Sequence, residues 1–180
     1  MFCVVVDING VLVKRIWSRS KKQSNERDNV LPMESKNGAQ HVYIRPYALT
    51  LLEHLLKNDE VELVLWSSMT EEYMRPIVDL LLTHVGYTGE KVVKTLNQSD
   101  CTPLPHPTHK YKPLFAKDVK KIYELLPNID GVIFIDDSSD KMIFNEDETI
   151  IIAKPWEDHN NIDDSEIHFN VMNQLDAALF

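Results

Sequence analysis

The sequence predicts an α/β fold: a parallel sheet covered on both faces by helices. Two observations carry this. Its strand-like runs are short, β-branched and apolar without alternation, the signature of strands buried on both sides. Segments of helical periodicity separate them, and that alternation is the pattern of a parallel sheet.

The strand runs are FCVVV (2–6), VELVLW (61–66), VIFI (132–135) and TIIIA (149–153). The helical patterns are YALTLLEHLLKN (47–58), TEEYMRPIVDLLLTHV (70–85), AKDVKKIYELL (116–126) and DSEIHFNVMNQLDAAL (163–178). Thr70, followed by Glu71 and Glu72, reads as a helix start with acids in its first turn. Pro76 falls early in that helix, where a kink is expected. Two stretches break the alternation. Residues 14–41 are polar, basic at first, and carry a turn signal at Lys36-Asn37-Gly38. Residues 98–113 hold four prolines and read as a loop or small insertion. Both are expected at the sheet edge where α/β proteins place their sites.

At 180 residues the chain reads as a single domain over 1–180, long enough to bury a sizeable core. A formal net charge of -9 argues against direct nucleic-acid binding, which needs a basic face. No apolar run approaches the ~18 residues of a membrane helix, and MFCVVVDING is interrupted too early for a signal peptide. Cys3 and Cys101 make no disulfide framework. Nucleus or cytoplasm is the expected location.

Polar residues stand where the strands end. Asp7 closes the first, Ser67 and Ser68 the second, Asp136 and Asp137 the third, and Lys117 precedes the last of these. Taken singly, an Asp after a strand serves as a turn or helix cap. Taken together, in this chain order, these residues suit phosphoryl transfer through a covalent carboxyl phosphate. A carboxylate attacks phosphorus, while a hydroxyl and an ammonium hold the transferred charge. Clustered acids at strand ends call for a hard cation such as Mg²⁺ between them. A response-regulator receiver also joins acids, a hydroxyl and a lysine, but its acid pair follows the first strand and its phosphorylated Asp the third, unlike the order here.

DINGVL (7–12), LVLWS (63–67), Lys117 and IDDS (135–138) resemble the four motifs of the haloacid dehalogenase superfamily. More finely, HVYIRPYALTLLEHL, LVLWSSMTEEYMRPIVDLLL, AKDV, FIDDSSDKM and NQSDC resemble the NLI-interacting-factor family, which includes phosphatases of the RNA polymerase II C-terminal domain. The resemblance implies a haloacid dehalogenase-like Rossmannoid sheet without a large cap, a flap at about 14–41 and a small insertion at about 86–113. It implies Asp7 as nucleophile, Ser67 as a phosphate ligand and Lys117 as the neutralising cation. It places Mg²⁺ on Asp7, the carbonyl of Asn9 and Asp137, with Asp136 close by. The implied substrate is a phosphoserine or phosphothreonine in a protein or extended peptide, such as the C-terminal domain itself.

Asn9 departs from the pattern. The family's second Asp protonates the leaving oxygen and then activates water, and an amide has no titratable proton for either task. Retained phosphate and Mg²⁺ binding with weak or absent turnover is expected. Several accounts of Asn9 stand open: a pseudophosphatase that binds phosphopeptides as a regulatory module, an engineered trap, deamidation at Asn9-Gly10, or a proton supplied from the flap.

Other features have a functional and a plain reading. Lys14, Arg15, Arg19, Lys21 and Lys22 either draw an anionic peptide to the cleft or keep a loop soluble. Cys101, His106 and His109 lack a fourth zinc ligand. Trp17 either packs or lines a substrate pocket, and Trp156 packs. The acids between Glu157 and Glu166 suit the exposed start of the last helix.

Overall fold

The computed structural model describes residues 1–18, 30–35, 38–89, 91–157 and 164–180. A parallel five-stranded sheet forms its centre: β1 (Phe2–Val6), β5 (Val61–Trp66), β6 (Lys94–Leu96), β9 (Gly131–Asp136) and β10 (Thr149–Ile152), in the order β10-β9-β1-β5-β6. β1 lies between β5 and β9 in matched register, with Val6 opposite both Leu65 and Ile135. The C-terminal ends of the three strands therefore fall at one level, and Asp7, Ser67 and Asp136 fall there with them.

The apolar runs have the cause the sequence suggests. On β1, β5 and β9, Val4, Val6, Leu63, Leu65, Ile133 and Ile135 join one core with α1 (Ala48–Lys57) and α2 (Glu71–His84). The alternate residues Cys3, Val5, Val64, Trp66, Val132 and Phe134 join a second core on the opposite face. Because side chains alternate along a strand, burial on both faces makes these runs almost wholly apolar; the exception is Glu62 near the start of β5, half-buried and paired with Lys94 of β6 at 3.2 Å. α2 begins after Thr70 with Glu71 and Glu72 in its first turn and continues through Pro76. α4 (Met172–Leu179) follows a π-helical stretch at Glu166–Val171 and closes the first core with Leu175.

Residues after β1 build a separate antiparallel sheet of β2 (Val13–Ser18), β3 (Val30–Ser35) and β4 (Gly38–Ile44), with β4 in the middle. Ser35 pairs with Gly38 across the expected turn, whose Lys36 and Asn37 lie outside the described residues, as do Arg19, Lys21 and Lys22. The proline-rich stretch is more ordered than a loop. β7 (Thr102–Pro105) and β8 (Pro113–Ala116) form a two-stranded antiparallel ribbon. Both are edge strands, where proline's missing N–H costs no ladder bond. β6 is a strand that the sequence reading did not anticipate.

The helix expected over 116–126 is shorter. α3 runs from Lys120 to Leu125, and Lys117 lies in the irregular link after β8 rather than opening the helix. Asn145 explains the difference. Its buried carboxamide donates from Nδ2 to the Lys117 carbonyl at 2.8 Å and accepts at Oδ1 from the Val119 N–H, also at 2.8 Å. The Lys117 N–H donates to the carbonyl of Lys141 at 2.9 Å. Side-chain bonds thus replace the first helical turn. No helix among the described residues is long and apolar enough to cross a membrane.

Candidate active site

Asp7 follows β1 at the sheet centre, its N–H donating to the Ile135 carbonyl at 2.8 Å. Asp7, Ser67, Lys117 and Asp136 are each only 1% exposed. The Lys117 ammonium bridges the two acids, donating to Asp7 Oδ1 at 2.7 Å and Asp136 Oδ2 at 2.6 Å. A buried ammonium between two carboxylates is stable only because each charge compensates the others. Burial pushes the Asp7 carboxyl up to about 6 against the pull of Lys117. Burial also works to raise Asp136, but Lys117 and Lys141 outweigh it and hold that carboxyl below its ordinary range. Burial raises Asp137, with Lys141 opposing.

The second oxygen of Asp7, Oδ2, is buried and accepts no hydrogen bond. Its ionic neighbour is the Lys141 ammonium at 3.7 Å, too far for a hydrogen bond, so the oxygen keeps lone pairs for an electrophile or a cation. Asp7, Asp136 and Asp137 each place one oxygen within 4.8 Å of the others, the one such group of acids, His or Cys among the described residues. Hard carboxylate oxygens suit Mg²⁺. Gly10 makes room for the cluster. It sits at φ 101°, and a Cβ there would lie 2.0 Å from Asp137 Oδ2. The donor set and the orphaned oxygen therefore fit the expected ion.

The loop that presents Asp7 and Asn9 is clamped from behind. Arg45, 2% exposed, donates from Nη1 to the Gly10 carbonyl at 2.9 Å and from Nε to Asp164 Oδ2 at 2.6 Å. The backbone N–H of Trp156 donates to the same Gly10 carbonyl at 3.3 Å. Asp164 is thus the partner of a buried arginine, where the sequence reading saw only exposed helix-start acids.

Ser67, at the end of β5, accepts at Oγ from the Met69 N–H at 3.2 Å. Asn9 is half-buried, and its Oδ1 accepts from Arg15 Nε on β2 at 3.1 Å. Because a guanidinium only donates, the contact fixes the carboxamide and turns its Nδ2 donors away from Arg15. Trp17 is half exposed and meets Tyr73 of α2 edge-on at 6.3 Å. Cys101 is buried against the second core, whereas His106 is half-buried and His109 exposed, their rings 4.6 Å apart and tilted at 57° to each other.

Three contributors were not singled out from sequence. Lys141 places its ammonium 3.3 Å from Asp136 Oδ1, 3.3 Å from Asp137 Oδ1 and 3.7 Å from Asp7 Oδ2. Its four-residue spacing from Asp137 was the available signal. Arg45 falls in the family-like segment HVYIRPYALTLLEHL, which gave no role for it, and Asn145 carried no signal.

Residues 2–178 match the description "NLI interacting factor-like phosphatase". The chain belongs to the NLI interacting factor-like phosphatase family. No curated protein sequence matches it well enough to count as a relative. Among solved structures, one similar chain is the fission yeast RNA polymerase II CTD phosphatase Fcp1, an altered form bound to beryllium fluoride. The TM-score is 0.56 at 16% identity, over 86% of this chain and 41% of that one. Another, described as Fcp1, an essential RNA polymerase II CTD phosphatase, has a TM-score of 0.57 at 18% identity, over 98% of this chain and 48% of that one. This family member thus shares the CTD-phosphatase fold and spans less than half the length of those neighbours.

Proposed function

We propose that the chain is a phosphoserine/phosphothreonine protein phosphatase of the C-terminal-domain type, working through an aspartyl phosphate on Asp7 and slowed by Asn9. The observation that carries this is the buried Lys117 bridge between Asp7 and Asp136, which leaves Asp7 Oδ2 without a hydrogen bond at the ends of the central strands, 3.7 Å from the Lys141 ammonium. Asp7 Oδ2 attacks phosphorus and forms an acyl phosphate as the bond to the seryl or threonyl oxygen breaks. Lys117 steadies the charge on Asp7 and on the transferred group. Ser67 Oγ, at the neighbouring strand end, is the hydroxyl for a phosphoryl oxygen. Asp7, the Asn9 carbonyl and Asp137 would hold Mg²⁺, with Asp136 beside them; when bound, the ion supplies charge neutralisation for the phosphoryl oxygens.

The leaving oxygen then needs a proton, and the acyl phosphate needs an activated water. The Asn9 carboxamide supplies neither. Its Nδ2 donors, turned away from Arg15, can still hold an oxygen of the substrate. A second reading follows from the same contact. With Arg15 engaging Asn9 and no general acid between them, the chain binds a phosphopeptide and serves as a pseudophosphatase module. The partner is a phosphorylated protein in either case, the RNA polymerase II C-terminal domain being the candidate suggested by the Fcp1 neighbours, with nucleus or cytoplasm as the matching location.

The test is Mg²⁺-dependent phosphate release from an aryl phosphate by the unmodified chain, Asn9→Asp and Asp7→Asn. Asn9→Asp is expected to be faster by about 10², the lower end of general acid–base effects, and Asp7→Asn silent. Good turnover by the unmodified chain through Asp7 would overturn the role given to Asn9. Silence from all three, with phosphopeptide still bound, would leave the module reading in place.

A further inference from the structure

Lys141 lies in the short helical turn Ser139–Met142 that follows β9. Its ammonium meets one oxygen from each of Asp7, Asp136 and Asp137, the same three carboxylates whose oxygens converge. A divalent ion drawn to those oxygens would have to share their small common space with a positive nitrogen. Both cations compete for the same lone pairs, and each repels the other in a poorly screened setting.

The two lysines of the site are held differently. Lys117 is 1% exposed and locked by contacts of 2.7 and 2.6 Å. Lys141 makes longer contacts, 3.3 to 3.7 Å, and 17% of its side chain faces solvent, so it is held less tightly than Lys117. Two ammonium groups against three carboxylates leave the cluster with a single negative charge before any metal arrives.

We propose that Lys141 is a resident cation of the Asp7–Asp136–Asp137 cluster, so that the site stands charge-compensated without a metal and a divalent ion enters only by displacing the Lys141 ammonium. The inference rests on the reading of this cluster as the metal side of a phosphatase site. It makes metal affinity low for a set of three convergent carboxylates. It also lets the metal-free chain receive a phosphorylated partner, since the ammonium already offsets the acids that would repel a phosphate.

The experiment measures Mn²⁺ binding by electron paramagnetic resonance for the unmodified chain, Lys141→Met and Lys141→Arg. Lys141→Met is expected to bind Mn²⁺ about tenfold tighter or better, because one like charge leaves contact with the ion, whereas Lys141→Arg stays weak. Equal or weaker binding by folded Lys141→Met overturns the proposal. If Lys141→Met does not fold in chelator but folds with Mg²⁺, the cluster's need for a cation is shown directly and supports it. A variant that fails to fold in either condition shifts the decision to the unmodified chain. There the ¹⁵Nζ resonance of Lys141, slow to exchange in chelator, should shift or broaden as Mg²⁺ is added. A resonance unmoved while Mg²⁺ displaces bound Mn²⁺ overturns the proposal.

Neither readout uses phosphate release. A chain without turnover that shows both effects loses the phosphatase reading and keeps this one. Turnover with an unmoved Lys141 resonance does the reverse.

Discussion

Asn9 and Arg15 act as a pair, and the consequence is open to test. A carboxylate in place of the amide would sit against the Arg15 guanidinium, 3.1 Å away through Nε in the present geometry. An opposite charge that close lowers a carboxyl by about 1–3 pKa units, so Asn9→Asp alone gives a poor proton donor. Adding Arg15→Ala to Asn9→Asp should raise aryl phosphate turnover further, by about tenfold per unit regained; an unchanged or slower double variant would separate Arg15 from the defect. Asp7 makes a pH prediction. Its carboxyl is pushed by burial from an ordinary 3.8 up to about 6. A raised acid contributes most to stability below its unfolded value, and that contribution is lost as pH rises through the folded value. In chelator, Asp7→Asn should therefore melt above the unmodified chain at pH ~7, with the gap closing towards pH ~4. A lower melting point for Asp7→Asn at neutral pH would contradict this. The thiols are simpler. Burial pushes Cys3 up to about 12 and raises Cys101 as well. Both should resist alkylation at pH ~8 in the native chain and react on unfolding, since the thiolate is the nucleophile.

At the scale of elements, what matters is how loops are fixed to strand ends. Gly10 holds a left-handed turn against Asp137, and a Cβ would strike that carboxylate. Gly10→Ala should lower stability by about 1–3 kcal/mol from backbone strain and displace Asp137, which a thermal melt and a Mn²⁺ titration would both register. A variant that melts and binds Mn²⁺ normally would show that the turn relaxes freely. Asn145 replaces the first turn of α3 with two side-chain bonds and seats the backbone of Lys117. Asn145→Ala leaves a buried carbonyl and N–H unsatisfied, at a cost of about 1–3 kcal/mol. It should also reduce turnover through the misplaced ammonium; chemical denaturation and kinetics would measure the two effects separately.

Across the whole molecule, an acidic chain of net charge -9 gathers Lys117, Lys141 and Arg15 around one acidic centre. The proposed phosphate chemistry would depend on that local reversal rather than on overall charge. The central strands, the two-sided burial and the strand-end positions of Asp7, Ser67, Asp136 and Asp137 were legible because period and sequence order are local properties. The family resemblance rested on those same residues, and the match over residues 2–178 bears it out. The helix assigned from Ala116 was overextended because apolar periodicity does not report the side chain of Asn145, 28 residues from Lys117. Arg15 was visible as one of a basic run beside the cleft but not as the partner of Asn9, and Lys141 and Arg45 were visible only within the family-like segments. By itself the sequence determined four of the five strands of the sheet, their buried faces and the order in which chemical groups reach its edge, since backbone period and burial are written residue by residue. Only the tertiary structure decided that Arg15 grips Asn9, that Arg45 ties the Gly10 carbonyl to Asp164, and that Lys141 stands among three carboxylates. Those contacts depend on how the chain folds back, whether over the 119 residues between Arg45 and Asp164 or the six between Asn9 and Arg15, and charges interact through space rather than along the sequence.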